Sequence, residues 1–345
     1  MHRIKVNAIS RVGEYLLSHD VCPARFLRDL GLPPAALLGC DLWLDRDSCF
    51  LIAENIGRVT GDPAPGMHVT ELQDLRVYGL WSDRILAAAT VGDAIHAAIG
   101  HIGLIESGRL MVLRNKGSRA SLETDFLGRL EASPREYLVA SAVLLSRFIG
   151  LATEHIPLEV PLAHETPADT SEYERVFGPH LVFDADRTAI VFDRDALALP
   201  MDGRKVARVI AGTTDTTASH VQTAVAVART VQAIMPFERP TTANVAEALN
   251  MNLRTMQRHL ETWGVTFNEL LEDFRLHHAL VGLREQGRTV TDVAFTLGYS
   301  DSAHFTRAFR RWTGSPPSGV GASREPGHSK LMALLTKTPD LPPFL

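Results

Sequence analysis

The chain has only three cysteines in 345 residues. Cys22, Cys40 and Cys49 show no CxxC pairing and no nearby histidine at the spacing zinc needs, which argues against a disulfide scaffold and a structural metal site. Three thiols cannot all pair within one chain, so free cysteines in a reducing cytoplasm are expected. No stretch is apolar enough to span a bilayer, and Met1 to Asp20 mixes Arg3, Lys5, Arg11, Glu14 and Asp20 among its apolar residues, so it lacks a signal-peptide core. No GxSxG, no phosphate-cradling Gly-Lys-Ser/Thr loop and no HExxH occurs, and His155, His164 and His180 lack ligand-like spacing. Neither catalysis nor a cofactor nor a metal is expected. A strong excess of one charge sign is missing too. The net charge of −5 counts mildly against a nucleic-acid partner when read globally, but phosphate binding rests on local cation density.

What is present is an ordinary globular composition, 45% hydrophobic and 22% charged, in a chain too long for one core. Four segments are expected: a domain over 1–201, an interdomain linker helix over 202–236, a helical domain over 237–322 and a flexible tail over 323–345. The first reads as α+β. Cys49 to Val59, Ala87 to Leu104 and Pro134 to Thr153 carry helical spacing. Arg109 to Arg114 and Ala120 to Phe126 flank a Lys-Gly-Ser turn as a hairpin, and Leu158 to Ala163, His180 to Asp184 and Thr188 to Phe192 read as short strands. Ala218 to Met235 is a helix striped by Val221, Ala224, Val225, Ala228, Val231 and Met235 and ended by Pro236. Packing against one domain and a dimer contact are equally good readings of that stripe.

The C-terminal part is all-α and repeats. Thr241 to Gly264 breaks into two helices around Asn250-Met251-Asn252. Val245, Ala246 and Leu249 form the inner face of the first, and Leu253, Met256, Leu260 and Trp263 that of the second, with Asn252 as N-cap. Arg254, Gln257, Arg258 and Glu261 point outward. About fifty residues on, Thr289 to Gly314 repeats the pattern: Thr289 and Asp292 open the first helix, Gly298 permits the turn, and Ser300 or Asp301 caps the second. Phe305, Ala308, Phe309 and Trp312 point inward; Ala303, Thr306, Arg307 and Arg310 point outward. Ser302 to Gly314 contains no acid, so Arg307, Arg310 and Arg311 make a cationic surface that the net charge hides. Phe267 to Leu283 is the helix joining the two helix-turn-helix units. A small bundle with a solvated charged face explains either unit alone. Two units with arginine in equivalent places favour major-groove reading, where arginine pairs with guanine and glutamine with adenine.

The string DVAFTLGYSDSAHFTRAFRRWTGSPPS, together with RTMQRHL, resembles the DNA-binding domain of the AraC/XylS family over about Pro240 to Ser318. Carried over by position, the resemblance implies base or phosphate contacts by Arg254, Gln257 and Arg258 in one helix and Ser302, Ala303 and Arg307 in the other. Ala303 departs from the family's usual longer polar residue, and Pro317-Ser318 runs into Gly319-Val320-Gly321 where an aromatic and an arginine are usual. Gly13 to Met201 is similar to the arabinose-binding-type N-terminal domain of some of these regulators, through Leu30-Gly31-Leu32, Gly61-Asp62-Pro63, Thr90-Val91-Gly92-Asp93-Ala94 and Phe177-Gly178. That likeness implies an effector and dimerisation without naming the ligand.

The expected function is therefore a cytoplasmic, sequence-specific DNA-binding regulator, by family habit an activator. It would bind double-stranded DNA on the nucleoid as a homodimer, work with RNA polymerase and answer to an unknown small-molecule effector. The alternative is control by dimerisation or a protein partner without a small ligand. The expected DNA-contacting set is Asn252, Arg254, Gln257, Arg258, Ser302, Ala303, Thr306, Arg307, Arg310 and Arg311. Trp43, Trp81, Arg84 and Arg109 are the candidates for a ligand pocket.

Overall fold

The computed structural model describes residues 2–38, 43–152, 158–211, 220–235, 237–285 and 287–320. Its first elements are β1 (Arg3–Lys5), α1 (Val12–Ser18), α2 (Pro23–Asp29), β2 (Trp43–Asp45), α3 (Arg46–Thr60), α4 (Pro65–Glu71), α5 (Leu80–Leu86) and α6 (Val91–Gly100). There follow β3 (Arg109–Lys116), β4 (Arg119–Phe126), α7 (Arg135–Ile149), β5 (Val160–Pro161), α8 (Ser171–Phe177), β6 (Leu181–Val182) and β7 (Thr188–Asp193). The rest is helical: α9 (Gly203–Ala211), α10 (His220–Ile234), α11 (Thr242–Ala248), α12 (Leu253–Thr262), α13 (Phe267–Leu280), α14 (Val290–Thr296) and α15 (Ser302–Thr313). Cys40, His155 and the tail over 323–345 lie outside the described residues.

Contacts divide the chain into two compact units, Met1–Tyr15 with Arg46–Thr216 and Leu16–Asp45 with Thr217–Leu345. The sequence had kept 1–201 together. In the first unit the expected hairpin forms, β3 pairing antiparallel with β4 from Arg109 opposite Phe126 to Lys116 opposite Arg119. Strand β7 adds antiparallel to β4 and completes a three-stranded sheet. Alternation puts Met111, Ala120, Leu122, Ile190 and Phe192 on its buried face. Helix α7 serves two cores. Leu144, Leu145 and Phe148 join the sheet, Trp81 and Ile95, whereas Val139 and Val143 join Met67, Val160, Tyr173 and Phe177.

Two expectations shrink. The strands over Leu158 to Ala163 and His180 to Asp184 reduce to two paired residues each, β5 parallel to β6, and Pro161 has no N–H with which to extend the ladder. The helix over Ala87 to Leu104 starts only at Val91, because Thr90 is extended and its hydroxyl accepts the Asp93 N–H as an N-cap. Helices α4 and α7 cross closely at Gly66, where a Cβ would stand 2.4 Å from the Glu136 carbonyl oxygen.

In the second unit α10 packs against α11, α12 and α13, with Ala224, Val227, Ala228 and Val231 fully buried. The stripe is thus packing within this unit, and α10 is one of its core helices rather than a linker. Trp263, Phe274 and Met256 are buried, and Leu276, Leu280, Val293, Ala294, Phe305 and Phe309 form a core cluster. Leu253 departs from expectation: at the first position of α12 it has no preceding turn to cover it and is 41% exposed.

Residues 16–45 belong to this unit through specific contacts. The Ala24 N–H donates to the Trp263 carbonyl at 3.2 Å. Arg28 reaches both the Gly264 carbonyl and Glu269, each at 3.1 Å, and the Ala35 N–H donates to Asp273 at 3.3 Å. Leu27, Ala36 and Leu37 are fully buried.

Two substitutions test this packing. Phe309→Ala removes a fully buried ring and is expected to cost about 3 to 5 kcal/mol. Gly66→Ala forces a methyl against a backbone carbonyl and is expected to cost about 1 to 3 kcal/mol. Urea unfolding midpoints at fixed pH measure both; a wild-type midpoint for either variant would contradict the packing described.

Candidate nucleic-acid interface

The pairs α11/α12 and α14/α15 are built by the same local chemistry. Thr241 with Asn244 and Thr289 with Asp292 each form a reciprocal capping box at the first helix of the pair. Each first helix ends on a leucine followed by a left-handed residue, Asn250 at φ 48° and Gly298 at φ 77°. The next N–H then reaches back, Met251 to the Ala246 carbonyl at 2.8 Å and Tyr299 to the Ala294 carbonyl at 3.0 Å. Asn250 manages with a side chain because Asn tolerates this region. The second helices are capped by Asn252, accepting from the Arg254 N–H, and by Asp301, accepting from the His304 N–H at 2.7 Å. Between Ser300 and Asp301, the aspartate caps. Residues of α11 recur 48 positions on in α14, as Ala246 and Ala294 do. Residues of α12 recur 49 positions on in α15, as Met256 and Phe305 or Arg258 and Arg307 do. The second turn is one residue longer.

Asn252, Arg254, Gln257 and Arg258 line one shallow groove together with Thr255 and Glu261. Arg254, Gln257 and Arg258 are exposed, and neither arginine has an ion pair among the described residues. The Asn252 carboxamide oxygen is spent on its cap. On α15 Ala303, Arg307 and Arg310 are exposed, with Ser302 and Thr306 half-buried, and Arg307 and Arg310 are likewise unpaired. Thr306 bonds the Ser302 carbonyl at 2.7 Å. Arg311 is set apart, because its guanidinium is held 2.5 Å from Glu272 of α13. Helices α12 and α15 therefore each present two uncompensated cations on an outward face.

The four pocket candidates divide. Trp81 and Arg109 line a cavity of about 60 Å³ in the first unit, beneath α7 and beside β3. Arg84 is exposed on α5 and Trp43 lies on β2 in the second unit, and neither borders the cavity. Trp81 is buried, its indole N–H donating to the Ala98 carbonyl at 3.0 Å. The Arg109 guanidinium lies 4.6 Å from the Phe126 ring centre and 3.8 Å from the Glu106 carboxylate. Sequence reasoning passed over Glu106, Glu136 and Tyr137, which also line the cavity. The available signal was a glutamate at the head of the apolar run Tyr137 to Phe148. Burial pushes the Glu106 carboxyl up, and pushes that of Glu136, which accepts the Gly66 N–H at 3.1 Å, up to about 7.

Residues 21–201 match the family model described as the arabinose-binding domain of AraC transcription regulators, N-terminal, and residues 245–322 match a helix-turn-helix domain. The chain belongs to the AraC/XylS family of transcription regulators. Among its relatives, an ornithine utilization regulator of Pseudomonas aeruginosa is 26% identical over 75% of this chain and 78% of its own length. The transcriptional activator RhaS of Escherichia coli is 39% identical over 24% of this chain and 30% of its own length. The crystal structure of the regulator CdpR from Pseudomonas aeruginosa shares 22% identity, with a TM-score of 0.41, covering 89% of this chain and 95% of that one. As an AraC-family member the protein is a DNA-binding transcription regulator with an arabinose-binding-type N-terminal domain. Among the described residues no helix is long and apolar enough to cross a membrane.

The raised carboxyl gives this AraC-family regulator a testable pH signature. Between about pH 4.5 and 7 folded Glu136 keeps a proton that the unfolded chain releases, so its contribution to stability falls as pH rises through that window. The full effect is on the order of 3 kcal/mol. Glu136→Gln should therefore gain stability relative to wild type as pH is raised from 5 to 8, read from urea midpoints. A difference independent of pH would contradict the raised carboxyl.

Proposed function

We propose that the two matched helix pairs are two helix-turn-helix units joined by α13, and that α12 and α15 read DNA in successive major grooves. The observation that carries this is the pairing of matching turn chemistry with exposed arginines at equivalent places, Arg258 and Arg307, that have no ion pair among the described residues. A stable bundle does not require two turns of the same build to be followed each time by an outer face carrying exposed arginines; a reader does. Grooves recur about every 34 Å along the duplex, so one chain would cover close to two turns. Arg254, Gln257, Arg258, Arg307 and Arg310 supply the direct contacts in this reading. Ser302 and Thr306 flank them, Ala303 offers a methyl to thymine, Asn252 holds the start of α12, and Arg311 is held back by Glu272.

The fuller reading is a cytoplasmic activator that acts as a dimer on paired sites and engages RNA polymerase. Its N-terminal domain senses a small molecule, and a cavity lined by buried polar groups favours that over control by a protein partner alone. A ligand acts only if it prefers one arrangement of the protein, and a coupling of about 1 to 3 kcal/mol changes DNA affinity several-fold or more.

Selection of bound sequences from a random duplex pool at stated salt tests the reader, with two blocks about one helical turn apart as the expected motif. On the selected site Arg258→Ala and Arg307→Ala should each lose about 1 to 3 kcal/mol of binding with unchanged unfolding midpoints. Wild-type affinity in both variants would mean that these faces do not meet DNA.

A further inference from the structure

The cavity of the first unit offers a ligand very few open polar groups. Its hydroxyls and indole are committed within the protein: Thr70 donates to the Gly66 carbonyl at 2.7 Å, Ser141 to the Tyr137 carbonyl at 2.8 Å and Trp81 to the Ala98 carbonyl. Tyr78 donates to Gln73 at 2.7 Å, and Tyr137 to Glu106 at 3.3 Å. A second carboxyl on the wall, Glu136, is already engaged, accepting the Gly66 N–H at 3.1 Å and lying 3.5 Å from Arg135, and what stays open is one pair of charged side chains. Arg109 is 7% exposed and its Nε and Nη1 have no acceptor; Glu106 is 4% exposed and its Oε1 has no donor. Nη1 and that oxygen stand 3.8 Å apart, near enough for attraction but too far for a hydrogen bond. The remaining wall is apolar, from Ile9 and Val12 through Ile56 and Met111 to Leu144 and Leu145.

We propose that this cavity binds a small organic carboxylate, whose oxygens accept from the open N–H groups of Arg109 while a short apolar body lies against Ile56, Met111 and Leu144. The inference rests on the effector-sensing reading above and specifies the ligand class. Guanidinium is charged at every physiological pH and cannot shed its proton to relieve burial, so it must gain an acceptor. Glu106 can shed its charge, and burial already drives its carboxyl that way, so a protonated Glu106 would donate to the same ligand rather than repel it. An alkylammonium would meet Arg109 as a like charge. A sugar would leave most of its hydroxyls unmatched, because the cavity's own polar groups are already paired. A volume of about 60 Å³ limits the body to a few carbon atoms.

The test uses the full-length protein in calorimetric titration against the straight-chain carboxylates from acetate to hexanoate, the amides and primary amines of the same lengths, and L-arabinose. The short carboxylates should bind saturably, at least about tenfold more tightly than the matching amides, and raise the melting temperature. Arg109→Met should abolish the preference for carboxylate. Because that variant can fail to fold, Ala140→Leu, which fills the cavity from α7, provides a second check and should abolish binding while leaving the fold intact. Equal binding of amides, or preference for amines or arabinose, overturns the carboxylate class while leaving effector sensing in place. Carboxylate binding unchanged in a folded Ala140→Leu protein overturns the site. Binding by none of the four classes overturns the proposal, and if DNA affinity is also unmoved by all of them it removes the support for effector sensing.

Discussion

The C-terminal unit depends on two backbone residues held in the left-handed region, Asn250 and Gly298. A helix followed directly by another helix of the same chain needs a reversal that ordinary φ values do not provide within two or three residues. Once Asn250 or Gly298 turns the chain, the N–H groups of Met251 and Tyr299 close onto the first helix and Ala246 and Ala294 let the second approach. The second helix then has its inner face fixed by Met256 and Leu260, or by Phe305 and Phe309, all essentially buried. Its outer face follows from helix geometry. The outward arginines are a consequence of the turn and the core together, which is why the same arrangement arises twice with different side chains.

Those arginines also explain why overall charge is a poor guide here. The chain is net acidic, yet some of its acids are paired with arginines away from the outer faces of α12 and α15: Glu71 and Glu172 with Arg175, Glu123 with Arg114 and Arg187, Glu269 with Arg28. Most of these pairs lie at the surface and contribute little stability. They neutralise cations elsewhere, whereas Arg254, Arg258, Arg307 and Arg310 have no ion pair among the described residues. Arg311 marks the boundary of that set, since Glu272 holds it at the edge of the face.

What the sequence made legible follows from the range of the forces involved. Caps, turns and periodicity act over three or four residues, so the α11/α12 and α14/α15 pairs, the β3–β4 hairpin and helices α3 and α7 could be placed from their own residues. Contacts between distant segments leave no such trace. Nothing local in residues 16–45 announces that Leu27 and Leu37 pack in the same unit as Phe274, or that α10 turns its stripe inward onto α12. The pocket candidates show the same limit. Tryptophan and arginine were sensible types to choose, but only the fold could separate Trp81 and Arg109 from Trp43 and Arg84, or bring Glu106 and Glu136 to the same cavity.

The path of the chain bears on how sensing would reach the reader. Cavity-lining Ile9 and Val12 immediately precede the 16–45 segment, and cavity-lining Ala53 and Ile56 follow it on α3. Helix α1 itself runs from Val12 to Ser18 and so carries the chain out of one unit and into the other. The segment between is tied to α13 through Asp273, whose carboxyl burial pushes up to about 7 and which holds the Ala35 N–H. Helix α13 in turn lies in the sequence between the pairs α11/α12 and α14/α15. On the proposed function, a ligand that shifts Val12 would act on the chain leading into the 16–45 segment, which reaches α13 through the hydrogen bond between the Ala35 N–H and Asp273. The coupling such a route carries is set by how differently the ligand binds before and after the shift, and by nothing else.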